Sequence, residues 1–134
     1  MKIEHLGIAV RDIDASNLLF EKLLGAAHYK TETVESEKVL TSFFKTGDSK
    51  IELLQALSPD SPIARFLEKK GEGIHHIAFE VSDIRMAMDD LKKKGFVLLS
   101  DEPKRGADNK LICFVHPKSA NGVLVELCQE IKTA

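Results

Sequence analysis

The sequence predicts an α+β fold in which two tandem βαβββ modules form a curved mixed β-sheet. Two observations carry this prediction. The first is a repeated phrase, which begins at His5 as HLGIAVRDI and returns at His76 as HIAFEVSDI. The second is that both copies lead into the same order of patterns: a helix, then strands, then an apolar strand with one carboxylate, Glu52 or Glu126. Internal repetition of this kind indicates a duplicated supersecondary unit.

The first module begins with a strand at 3–10, where apolar and β-branched residues alternate. A helix comes next, because Asp12 and Asp14 are typical N-cap residues and Gly25 is a typical helix end. We expect the buried face of this helix to consist of five apolar residues, Leu18, Leu19, Phe20, Leu23 and Leu24. The remaining strands of the module are predicted at 29–34, 38–45 and 50–55.

A linking helix at about 58–71 separates the modules, with Ser61 as N-cap and Pro62 at its first position. The second module restarts with a strand at 74–81. Its helix begins after Asp83 and ends at Gly95, with a buried face made by Ile84, Met88 and Leu91. Its other strands are predicted at about 96–100, 111–116 and 122–129.

Length and composition fit one domain over residues 1–134, with modules at about 1–57 and 72–131 that share a core. Apolar residues make up 43% of the chain and charged residues 30%, as in soluble globular proteins. The net charge of −2 gives no reason to expect nucleic acid or a membrane as partner. Only two cysteines and no signal-like apolar run predict reduced thiols and a cytoplasmic protein.

The repeat also places candidate metal ligands at equivalent positions, because each module has one His and one Glu in predicted strands: His5 with Glu52, and His76 with Glu126. A lone strand His is usually structural, and a lone strand Glu usually faces solvent. Their coincidence in both modules favours one shared metal site over two unrelated pairs. Imidazole and carboxylate suit divalent Mn, Co, Ni, Fe or Zn, and the lack of a Cys ligand argues against a closed structural zinc site.

Several longer runs make the chain resemble the methylmalonyl-CoA epimerase family of the vicinal oxygen chelate (glyoxalase/bleomycin resistance/dioxygenase) superfamily. The most specific are FVHPK at 114–118 and GVLVEL at 122–127. The resemblance implies that His5, Glu52, His76 and Glu126 hold one divalent metal ion (Co, Mn, Ni, Zn or Fe) at the centre of the sheet. Some members carry Gln at the position of Glu52. It also implies an acyl-CoA substrate and a homodimer.

The activity implied by the resemblance is a metal-dependent interconversion of (R)- and (S)-methylmalonyl-CoA, by 1,1-proton transfer through a metal-stabilised enolate. Glu126 is then one catalytic base. Some epimerases use a second catalytic Glu where this chain has Thr41, and Thr cannot abstract a proton at neutral pH. We therefore predict that Glu52, the counterpart of Glu126, is the opposite base and that Thr41 is dispensable. Glu35, Glu37 or a bound water are the alternatives for this base.

Two other functions stay open at this point. A glyoxalase I-like lactoylglutathione lyase would use the same ligands, and the thiol carrier of the substrate distinguishes it. Lys104, Arg105 and Lys118 are the residues that would meet the phosphates of CoA. A metal-free small-molecule-binding module of the same fold would not need four ligands, so a metal assay separates it. An extradiol dioxygenase is disfavoured, because its Fe(II) site takes two His and only one carboxylate.

Overall fold

The structure is a computed structural model, and it describes residues 1–132. Over these residues the chain forms helices and a mixed set of strands, so the predicted α+β class is confirmed. The strands are β1 (Lys2–Ala9), β2 (Lys30–Val34), β3 (Val39–Thr46), β4 (Ser49–Ala56), β5 (Gly73–Glu80), β6 (Lys104–Arg105), β7 (Lys110–Val115) and β8 (Val125–Glu130). The helices are α1 (Ile13–Leu24), α2 (Pro62–Lys70) and α3 (Ile84–Lys93).

The chain divides into two compact units, one of residues 5–75 and one of residues 1–4 with the chain from His76 onward. In the first unit the strand order is β2-β3-β4-β1, with β1 and β4 parallel and the other pairs antiparallel. In the second unit the order is β6-β7-β8-β5, with β5 and β8 parallel. The two βαβββ modules therefore have the same topology. The grouping of both modules in one domain stays a prediction.

The predicted helix caps are confirmed. Asp12 accepts hydrogen bonds from the backbone of Asp14 and Ala15, and Gly25 ends α1 with a left-handed φ of 79°. Ser61 caps α2 through the backbone N–H of Ile63, behind Pro62 at the first position. In α3 the Asp83 side chain accepts from the backbone N–H of Met86. These caps satisfy N–H groups that have no partner inside the helix.

The predicted buried face of α1 is wrong. Leu18, Leu19 and Leu23 are 61%, 62% and 71% exposed, although Phe20 does pack partly against the core. Helical spacing turns Ile13, Asn17 and Phe20 inward, and the Ser42 hydroxyl donates to the Asn17 side chain at 2.6 Å. The sequence misled because α1 is apolar on its outer side as well, so periodicity alone could not identify the inner face.

The predicted strand at 96–100 is also wrong, because this segment forms only an isolated bridge between Leu98 and Val115. The Ser100 hydroxyl donates to the carbonyl of Glu102, and Pro103 follows, so the chain turns before it resumes as the short strand β6. The last strand begins at Val125 rather than 122, because Gly122 and Val123 are tied back to Pro117 and Ala120 by backbone hydrogen bonds.

Each unit has its own apolar core between helix and sheet. In residues 5–75 the core contains Val10, Ile13, Phe44 and Leu53. In the second unit it contains Ile84, Met88, Cys113 and Leu127. Within residues 1–132 we find no helix whose length and apolar character would let it cross a membrane.

A glutamine in each module ties the start of the helix to the strand that carries the Glu. Gln55 accepts a hydrogen bond from the backbone N–H of Ile13 at 2.8 Å, and Gln129 accepts one from Ile84 at 2.7 Å. Both glutamines lie three positions after the strand Glu, in the runs IELLQ and VELCQ. Our sequence interpretation missed this signal, although the repeat displays it.

We predict that Gln55→Leu and Gln129→Leu each lower the free energy of unfolding by about 1–3 kcal/mol, because each leaves a helix N–H without its acceptor. Chemical denaturation of the two variants measures the effect. Gln55→Glu and Gln129→Glu are matched controls that keep an acceptor oxygen and should lose less. Equal losses in the Leu and Glu variants would contradict a role for the hydrogen bond.

Candidate active site

In the first unit, β1 and β4 bring His5 and Glu52 together. Parallel pairing sets Gly7 beside Glu52, and His5 lies two positions before Gly7 on the same face of the sheet. The His5 Nδ1 atom is 3.1 Å from the Glu52 Oε2 atom. Both residues are only 4% exposed. The two candidate side chains of this module therefore lie next to each other in the structure.

In the second unit, β5 and β8 bring His76 and Glu126 together in the same way. Parallel pairing sets Ala78 beside Glu126, and His76 lies two positions before Ala78. The His76 Nε2 atom is 3.5 Å from the Glu126 Oε1 atom, and both residues are 5% exposed. Gly7 and Ala78 occupy the same place in the two modules. A small residue therefore lies beside the Glu of each module.

A phenylalanine lies across the strand from each Glu: Phe43 pairs with Glu52, and Phe114 pairs with Glu126. The Phe114 ring meets the His76 imidazole edge to face, with centroids 5.8 Å apart. Our sequence interpretation did not single out these rings. The signal was available, because Phe43 and Phe114 stand at the same distance along the chain from the leading His of their module.

The donor set fits a divalent metal ion. A buried carboxylate needs compensation, since removing its charge from water is costly. The imidazole nitrogens of His5 and His76 lie 3.1 and 3.5 Å from the two Glu carboxylates, and a divalent ion would supply further positive charge. Two donors on one ion, each at about 2.0–2.2 Å, lie roughly 3.0–3.5 Å apart. Each His–Glu pair thus has the separation of neighbouring ligands.

The other histidine beside the site has a structural place. His75 packs edge-on against Phe66, with centroids 4.9 Å apart. Burial lowers the pKa of His75 to about 4, against the opposing influence of Glu37. His75 is therefore neutral near pH 7, as suits a side chain that packs on an aromatic ring. Of the cationic residues considered for CoA, Lys104, Arg105 and Lys118 are all exposed.

Comparison with known proteins matches residues 4–114 to the glyoxalase/bleomycin resistance protein/dioxygenase superfamily. The ethylmalonyl-CoA/methylmalonyl-CoA epimerase of Cereibacter sphaeroides is 45% identical over 130 residues, covering 96% of this chain and 97% of the relative. Human mitochondrial methylmalonyl-CoA epimerase is 43% identical over 129 residues, covering 96% and 73%. A variant of Streptomyces coelicolor methylmalonyl-CoA epimerase in complex with 2-nitronate-propionyl-CoA matches with a TM-score of 0.91 and 37% identity, covering 97% and 94%.

These matches define first the class and then the family. The chain belongs to the glyoxalase/bleomycin resistance/dioxygenase superfamily and, within it, to the methylmalonyl-CoA epimerase family. The predicted superfamily and the predicted kind of enzyme, an epimerase-like isomerase, are confirmed.

Proposed function

We propose that this protein is a metal-dependent epimerase that interconverts (R)- and (S)-methylmalonyl-CoA by 1,1-proton transfer. One observation carries the proposal beyond family membership: each module buries its own His–Glu pair at the same place in the sheet. The fold alone does not require these two pairs, because a buried carboxylate reduces stability unless a partner or a cation compensates its charge.

We assign His5, Glu52, His76 and Glu126 as the residues that hold one divalent ion. When bound, the ion supplies a Lewis acid that lowers the energy of the enolate. The ligand chemistry is compatible with Co, Mn, Ni, Zn or Fe and does not choose among them. Support comes from the burial of all four side chains and from the 3.1 and 3.5 Å separations within the two pairs.

We assign the proton transfer to the carboxylates of Glu52 and Glu126. Glu126 removes the α-proton from one face of the substrate, and Glu52 serves the opposite face. The duplication supports this division, because Glu52 and Glu126 occupy equivalent strands and lie opposite equivalent phenylalanines. Phe114 packs against His76 and so holds the imidazole in one orientation while it limits the access of water.

Proton–deuterium exchange at C2 of methylmalonyl-CoA, with and without added Co(II), tests this function. We expect exchange and epimerisation that depend on the metal and stop on addition of a chelator. If the loaded protein isomerises the methylglyoxal–glutathione adduct and leaves methylmalonyl-CoA untouched, the glyoxalase I-like alternative replaces the proposal. If it binds no metal and turns over neither compound, the binding-module alternative replaces it.

The homodimer predicted from the family belongs to the same proposal, and the outer face of α1 supports it. The corresponding positions of α3 and its C-terminal end carry Asp89, Asp90 and Lys94, so the fold itself does not need Leu18, Leu19 and Leu23 there. Exposed apolar clusters of this kind mark interaction sites. We propose that a second copy of the chain covers the leucine surface, defined as Leu18, Leu19 and Leu23.

We predict that Leu19→Asp with Leu23→Lys, which copies the residues of the second module, converts a dimer to a monomer. Light scattering coupled to size-exclusion chromatography measures the mass. Met86→Lys is the control, since Met86 is an equally exposed apolar residue, 69% accessible, on α3. A wild-type monomer, or a dimer that survives the double substitution, would contradict this interface.

A cytoplasmic location is also part of the proposal. Cys113 and Cys128 are both buried free thiols, as expected in a reducing compartment. Burial raises the pKa of the Cys113 thiol, which keeps it protonated and unreactive.

A further inference from the structure

Thr41 is a buried polar side chain that the fold leaves unexplained. It lies in the middle of β3 and is 1% exposed. Among residues 1–132 its Oγ1 atom has no hydrogen-bond partner. A buried hydroxyl without a partner reduces stability, so its presence needs a reason outside packing.

The register places Thr41 on the face of the sheet that carries Glu52. In the β3–β4 pairing, Phe43 lies opposite Glu52 and Thr41 lies opposite Leu54. Thr41 is therefore the diagonal neighbour of Glu52, at roughly 7–8 Å on the same face. His5 also belongs to this face, through the pairing of Gly7 with Glu52. The hydroxyl is thus within reach of the proposed reaction centre.

The second module shows that the fold does not require a hydroxyl at this place. Ile112 lies opposite Cys128, just as Thr41 lies opposite Leu54. Ile112 is buried and packs with Ala78 and Cys128 in an apolar cluster. An apolar side chain therefore fills the equivalent position without loss of the architecture.

The next residue on β3, Ser42, has a hydroxyl with a structural role. Ser42 is fully buried on the opposite face of the strand, and its hydroxyl donates to Asn17 at 2.6 Å. The same strand thus carries one buried hydroxyl that is satisfied within the fold and one, on the Glu52 face, that is not. This contrast distinguishes Thr41 from a residue kept for packing.

We propose that Thr41 is a positioning residue whose hydroxyl holds a water molecule between itself and the Glu52 carboxylate. The inference rests on the proposed function. One water, with the hydroxyl and the carboxylate as polar partners, spans the gap between diagonal neighbours. This replaces our expectation from the sequence that Thr41 is dispensable.

The water carries the proton between the α-carbon of the substrate and Glu52. The α C–H bond breaks, its proton passes to the water oxygen, and a proton of the same water passes to the Glu52 carboxylate. The electron pair remains in the enolate. On this face, reprotonation takes the reverse path. Thr41 is unchanged throughout and orients the water by hydrogen bonding.

The test compares Thr41→Val, which removes the hydroxyl, with Thr41→Ser, which keeps it. We measure C2 deuterium exchange from each epimer with Co(II)-loaded protein, and thermal unfolding of the metal-free protein. Thr41→Val should slow exchange by roughly tenfold to a hundredfold from the same epimer that Glu52→Gln affects, since a misoriented proton carrier costs about that much. Its metal-free Tm should equal or exceed that of the wild type, and Thr41→Ser should retain most exchange.

A double variant, Thr41→Val with Glu52→Gln, should be no slower than Glu52→Gln alone, because both changes break one path. Ser42→Ala is the control: it should lower Tm and keep exchange from both epimers. Three results would each overturn the role proposed for Thr41. They are a wild-type rate of exchange in the Thr41→Val variant, an equal loss of exchange from both epimers, and additive losses in the double variant. The role proposed for Glu52 would not be affected. If the wild type itself shows no exchange, the proposed function fails and this inference fails with it.

Discussion

A Glu52→Gln variant is expected to keep much of its metal and to lose proton exchange from one epimer by roughly 10²–10⁴-fold. The amide oxygen of Gln can still bind a divalent ion, but the side chain no longer accepts a proton. Exchange from the other epimer should fall much less, because Glu126 still serves the opposite face. Deuterium incorporation at C2, measured separately from the (R)- and (S)-substrates with Co(II)-loaded protein, provides the test.

Glu126→Gln is the matched control, since Glu126 occupies the equivalent strand and lies opposite the equivalent phenylalanine. It should lose exchange from the epimer that Glu52→Gln spares. Near-normal exchange from both epimers in a metal-holding Glu52→Gln variant would make Glu52 a ligand only. The second base would then be sought at Glu35, Glu37 or a bound water that acts without Glu52.

Much of the fold could be predicted from the repeat, because the repeated residues act on their immediate neighbours in the chain. Asp12 and Asp83 cap their helices through their own side chains, and Ser61 with Pro62 does the same for α2. Such signals depend on a few neighbouring residues. Sequence analysis therefore identified the three α-helices of residues 1–132. It was wrong about a strand at 96–100, where the turn at Ser100 and Pro103 interrupts the second module, and it began the last strand at 122 instead of 125.

The sequence analysis failed or was incomplete where the answer depends on how helices and strands pack against each other. α1 is apolar on two sides, and the inner side is selected by Ile13, Asn17 and Phe20, including a polar contact with Ser42. In α3 the outer positions other than Met86 are mostly charged, and the predicted inner residues Ile84 and Met88 are buried, so the same reasoning was correct there. The roles of Phe43 and Phe114 depend on cross-strand register, which the sequence does not state directly. Comparing the two modules position by position would have revealed both rings.

From the sequence, the candidate site could be predicted as far as its four residues, one His and one Glu in each module. The repeat placed one His and one Glu in equivalent strands of each module, and the structure places each His within 3.5 Å of the Glu of its own module. Assignment of all four side chains to one ion stays a prediction. The orphaned hydroxyl of Thr41 lay beyond sequence reasoning, because a hydrogen bond that is missing can be recognised only when every neighbour has a position.

The substitution of His5 and His76 by alanine in one variant is expected to abolish stoichiometric metal binding. Wild-type protein loaded with Co(II) and freed of excess metal should hold about one ion per chain, as a site of two imidazoles and two carboxylates predicts. The double variant retains only the carboxylates of Glu52 and Glu126, which bind such ions weakly without the imidazoles. Elemental analysis should find a small fraction of an ion per chain, and metal-dependent exchange should vanish.

His28→Ala with His116→Ala is the matched control for the double substitution. The His28 ring packs on Phe44 at 5.9 Å, much as His76 packs on Phe114 at 5.8 Å, but within residues 1–132 neither His28 nor His116 pairs with a strand Glu. The control should therefore lose two imidazoles and keep its metal. Because alanine also removes the bulk of a buried ring, His5→Phe and His76→Phe are made in parallel, to keep a planar ring of similar size that has no atom able to bind a metal. Full metal occupancy in a folded variant that lacks both imidazoles would exclude His5 and His76 as ligands, and the four-residue site with them.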